Sequence, residues 1–144
     1  MKELPQNIQD KVEVLSEQGN VLCDESEFSK AIQQWRTAIA LLPEPQVDWE
    51  AYTWLAASIG DAQYQLEDLE AACQSFFDAL DGPEGMQNPF VHYRLGQCQI
   101  KLGHVEHGVQ SLLKAYMLEG EDIFDEDHEG ASFLKILRDK KLID

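Results

Sequence analysis

The chain has 144 residues, 27 of them acidic and 11 basic, for a net charge of −16. That length suits one domain or a short array of repeats, and an apolar content of 44% supplies a buried core and argues against wholesale disorder. The negative field disfavours nucleic acid and anionic membrane as partners and leaves room for a basic protein.

Met1 to Lys11 holds Pro5, Asn7 and Asp10 and no apolar stretch of signal-peptide type. No later apolar run reaches the length of a membrane span, so a cytoplasmic protein is expected. Cys23, Cys73 and Cys98 are far apart and form no C-x-x-C pair, which predicts reduced thiols that pack as small apolar side chains.

From Val12 to Cys23, Val12, Leu15, Gly19 and Leu22 fall at three- and four-residue steps and mark one face of a first helix. Phe28, Ala31, Ile32, Trp35, Ala38, Ile39 and Leu42 mark a second, stopped by Pro43 and Pro45. The spacing then recurs. Twelve, sixteen and nineteen residues beyond Gly19 stand Ala31, Trp35 and Ala38; beyond Gly60, Ala72, Phe76 and Ala79; beyond Gly96, Gly108, Leu112 and Ala115. Small residues on both helices let two backbones approach, and the large residue between them fills the gap. No sustained period-two alternation and no Asn-Gly or Asp-Gly hairpin appears, so the expected class is all-α. A last amphipathic stretch, Ala131 to Leu142, reads as a capping helix over the end of a stack.

In these residues the chain resembles the tetratricopeptide repeat (TPR) family, whose unit of about 34 residues is a helix–turn–helix. The resemblance implies an α-solenoid forming one domain over residues 1–144, with repeats at about 12–45, 53–86 and 89–122. An acidic linker (119–130) and the cap (about 131–142) follow. The pitch is uneven, 41 residues from Gly19 to Gly60 and 36 from Gly60 to Gly96. The excess falls in loop-like stretches, Pro43 to Trp49 and Gly82 to Asn88, which either lengthen turns or carry recognition.

Chemistry-bearing motifs are weak. Asp125, Asp127, Glu129 and Gly130 imitate the start of a calcium loop, but its twelfth position, normally a bidentate Glu, is Ile136. His104 and His107, with Cys98 and His92 upstream, lack a metal-binding or catalytic signature. No enzyme activity, metal or cofactor is expected.

The family resemblance implies a protein-binding groove lined by the first helix of each unit. Carried over by position, the partner-binding candidates are Glu13, Asn20, Trp54, Asp61, Tyr64, Phe90, Tyr93 and Gln97, with Asp24 adding an acid at the edge. Aromatics there offer contact area and faces for cations, and the acids pair with Arg or Lys. Trp54, Tyr64 and Tyr93 could equally pack inside the helix pairs. Some family members clamp a peptide carboxylate with Lys and Asn; here Asn20 matches, whereas Ser16, Ala57 and Arg94 do not complete the set. The expected function is therefore binding and sequestration of a basic protein. The chain is similar to repeat proteins of bacterial toxin–immunity loci, implying an immunity protein that neutralises a toxin. The alternative is a secretion chaperone holding an extended segment of a secreted protein.

Overall fold

A computed structural model describes residues 3–144, and among these all regular structure is helical. In chain order the helices are α1 (Gln6–Asp24), α2 (Phe28–Leu41), α3 (Glu50–Gln65), α4 (Leu69–Asp81), α5 (Pro89–Lys101), α6 (Val105–Glu119), the single turn α7 (Asp122–Asp125) and α8 (Gly130–Asp139). They fall into two compact units, residues 1–85 and 86–144.

In the first unit α1 packs on α2 and α3 on α4, and α2 also packs on α3. The core is built around Trp35, Leu42, Leu55 and Ile59, with Ala31, Ala38 and Ala62 fully buried at the close approaches. Trp35 fills the space over Gly19, and its indole Nε1 donates to Ser16 O at 3.3 Å. Phe76 stands in the same relation to Gly60, where an added β-carbon would lie 2.9 Å from the ring. Side chains lock the second pair further. Ser75 Oγ donates to Gln63 Oε1 at 2.5 Å, and Thr53 Oγ1 to Pro83 O at 2.9 Å.

In the second unit α5 packs on α6, and α7 and α8 pack on each other and on α6. Leu112 fills the space over Gly96, where an added β-carbon would lie 2.8 Å from its side chain. Ser111 Oγ donates to Gln99 Oε1 at 2.7 Å, at the same offsets from Gly96 that Gln63 and Ser75 keep from Gly60. Asn88 caps α5 by accepting from Phe90 N and Val91 N, with Pro89 as first helical residue. The stretch expected as an acidic linker contains α7, because Ile123 and Phe124 interrupt its charges and bury themselves. Phe124 meets Tyr93 edge-on at 5.0 Å between ring centres. The amphipathic face of α8 buries Phe133, Leu134 and Leu137.

The turn inside each helix pair has one construction. Ser26, Glu67 and Gly103, each seven residues past the packed glycine, take φ of 61°, 63° and 90°. The next amide reaches back to the helix: Glu27 N to Leu22 O (2.8 Å), Asp68 N to Gln63 O (3.0 Å) and His104 N to Gln99 O (2.8 Å). This left-handed closure satisfies helix-terminal carbonyls and fixes the angle at which the second helix returns.

Candidate functional site

The helical register of α1 puts Glu13 and Asn20 two turns apart on an exposed face, with Asp24 exposed at the helix end. On α3 the corresponding face carries Trp54, 43% exposed, and Asp61, half-buried. The two helices bring their acids together. Burial first, then the charges of Asp61 and Asp24, push the Cys23 thiol above its ordinary range. Tyr64, one turn past Asp61, is buried.

At the other end of this face lies an open cleft of about 760 Å³. Its walls come from the start of α1, the start of α3 and the Pro43–Trp49 segment between the helix pairs. Trp49 and Trp54 face it together with Val12, Leu4, Pro45 and Pro83, and Glu3, Glu13, Glu44, Asp48 and Glu50 supply carboxylates. The segment is ordered on itself: Gln46–Asp48 forms a 3-10 turn, and Trp49 Nε1 donates to Pro43 O at 2.7 Å. The extra residues of the first pitch therefore build a wall. Trp49 did not figure among the sequence candidates, although its place in that insertion was the available signal.

The candidates of the second unit have a different fate. Tyr93 and Gln97 are buried, and both donate to one carboxylate oxygen, Asp127 Oδ2, at 2.6 and 2.8 Å. Arg94 completes the cluster, its NH1 3.3 Å from Asp127 Oδ2 and 2.8 Å from Gln97 Oε1. Phe90 is half-buried beneath the same guanidinium, 5.4 Å from its ring centre. Burial alone would raise the Asp127 carboxyl, but the hydrogen bonds from Tyr93 and Gln97, the Arg94 charge and the neighbouring His128 hold it below its ordinary 3.8. Tyr93 is pushed the opposite way, by burial and by donating to that carboxylate. Lys101 Nζ meets Glu129 at 2.8 Å. Two carboxylates of the calcium-like run, Asp127 and Glu129, are thus bonded to side chains of α5, and among the described residues no group of three His, Cys, Asp or Glu side chains is placed to hold a metal ion. His104 and His107 are exposed at the start of α6, while His92 is buried and its Nε2 lies 2.8 Å from Met86 O. Among the described residues, no helix is long and apolar enough to cross a membrane.

The helix–turn–helix order has counterparts among solved structures. The Arabidopsis OM64 TPR domain superposes with a TM-score of 0.73 at 19% identity, covering 92% of this chain and 98% of its own. MamA gives a TM-score of 0.65 at 15% identity, covering 90% of this chain and 78% of its own. The fold is that of TPR proteins. No protein-family model and no curated protein matches the sequence, so the likeness is one of architecture. In TPR terms α1, α3 and α5 are first helices and α2, α4 and α6 are second helices. The Gly–Trp, Gly–Phe and Gly–Leu contacts are the joints within the pairs.

Proposed function

We propose that this chain is a protein-binding module with no chemistry of its own, whose first unit docks a basic protein on the face shared by α1 and α3. One observation carries the reading: Trp54 stands exposed among carboxylates on a face that also bears Glu13, Asn20, Asp24 and Asp61. A large, half-exposed aromatic is an anchor of the kind that dominates interface energies. The surrounding carboxylates and a net charge of −16 would steer a cationic partner and speed its arrival. Tyr93 and Gln97 contribute through the cluster on Asp127, which shapes the second unit.

In its most specific form, the partner is a basic bacterial toxin, and the chain is the immunity protein that masks the toxin's cationic site. The test is co-expression with the reading frames that neighbour its gene, scored by rescue of growth. Rescue that is lost in Trp54→Ala, with an interaction that weakens steeply as salt rises, supports the proposal. A partner held as an extended apolar segment, with affinity indifferent to salt, overturns it in favour of a secretion chaperone.

A further inference from the structure

The cleft between the starts of α1 and α3 has a composition that selects its occupant. We infer that it is a receptor for an arginine side chain presented by the partner protein, an inference that rests on the docking face proposed above and adds a defined site to it. Five carboxylates line the cleft, and no Lys, Arg or His is among the described residues lining it. An apolar segment placed there would strip water from those carboxylates with nothing in return. An anionic ligand would be repelled.

A guanidinium meets both halves of the lining. Its flat face stacks on an indole such as the half-exposed Trp54, and its edge donates in parallel to a carboxylate such as Glu13, Asp48 or Glu50. A lysine ammonium pairs with the carboxylates but lacks the planar match. At about 760 Å³ the opening admits a whole side chain with flanking backbone. It is also pre-shaped, since the bond from Trp49 Nε1 to Pro43 O holds the inserted wall in place without a ligand. The inference thereby assigns a task to the residues by which the first pitch exceeds the second.

The experiment is a titration of the full chain, at low and then high salt, with a capped peptide alternating Gly-Ser with Arg, followed by the indole N–H resonances in NMR. Lysine and citrulline versions of the peptide serve as controls; citrulline keeps the shape and removes the charge. Saturable shifts of Trp54 and Trp49 are expected while Trp35, 3% exposed, stays still. Affinity should fall about tenfold or more for the citrulline peptide and for Trp54→Ala, and less for the lysine peptide. Glu13→Gln with Glu50→Gln gives a second, conservative variant on exposed positions. Equal binding of the citrulline peptide, or indoles that do not respond, overturns the inference. If the arginine peptide moves the Trp54 indole and the amides of Asn20 and Asp24 but leaves the Trp49 indole still, the cleft falls and the docking face stands. If it moves none of them, both fall.

Discussion

The Tyr93 hydroxyl donates to Asp127 Oδ2 at 2.6 Å, closing thirty-four residues of chain onto α5. Gln97 and Arg94 converge on the same oxygen, so one carboxylate satisfies three donors at a site where its own side chain is 12% exposed. Asp127→Ala should destabilise the chain by about 1–3 kcal/mol, because the donors lose their acceptor while partly buried. Asp127→Asn should cost less, since an amide oxygen still accepts. Urea denaturation of the three proteins checks the order.

The same site sets an acid limb. The folded carboxyl titrates below its ordinary 3.8, so the unfolded chain takes up this proton first as pH falls. The stabilisation is complete above the ordinary carboxylate range and is lost as pH drops from there through the folded value. Stability measured between neutral pH and about pH 3 should fall more steeply for the native chain than for Asp127→Asn. Equal slopes would show that Asp127 does not carry the effect.

At the pair joints, Gly60→Ala places a β-carbon 2.9 Å from the ring of Phe76, which is fully buried, so the ring or the helix must shift. Overpacking of about 1–3 kcal/mol should outweigh the gain of about 1 kcal/mol in helix propensity. Adding Phe76→Leu should recover part of the loss. Gly96→Ala should resist the matching rescue at Leu112, because the Gly108 carbonyl also lies 3.0 Å from the new carbon. Melting temperatures of the singles and doubles test this.

The turns invite opposite substitutions. Glu67 takes φ of 63°, in the region that costs a side-chain-bearing residue roughly 1–2 kcal/mol. Glu67→Gly should stabilise by about 0.5–1 kcal/mol after the added freedom of the unfolded chain is subtracted. Gly103 has the same handedness and open space where a β-carbon would go, so Gly103→Ala should destabilise by about 1 kcal/mol for conformational reasons alone.

The bond between Ser75 and Gln63 can be isolated by a double-mutant cycle. Ser75→Ala leaves the Gln63 carboxamide, 5% exposed, without that donor and should cost about 1–3 kcal/mol. Combining it with Gln63→Leu should cost less than the sum of the two singles. Additive losses would show that the bond contributes nothing beyond its parts.

The helix pairs were legible in sequence because their contacts are short-range and periodic: Gly19 with Trp35, Gly60 with Phe76, Gly96 with Leu112. Gln63–Ser75 and Gln99–Ser111 were legible in principle, since both keep the offsets of their glycines, but polar pairs draw less notice than apolar ones. Asp127 was hidden. In one dimension it is one acid in a charged run, and only the burial of Ile123 and Phe124 turns that run back onto α5. The expected groove residues divided for the same reason. Trp54 remains on the surface, whereas Tyr93 and Gln97 lie where the returning segment lands.

Trp35, Trp49 and Trp54 are the chain's three tryptophans, and all of them lie in the first unit; Tyr93 and Tyr116 belong to the second. Fluorescence excited at the red edge, where tyrosine does not absorb, therefore illuminates one half of the molecule and leaves the other dark. Set beside a whole-chain signal such as circular dichroism, that asymmetry separates the melting of the two halves without a label or a truncation.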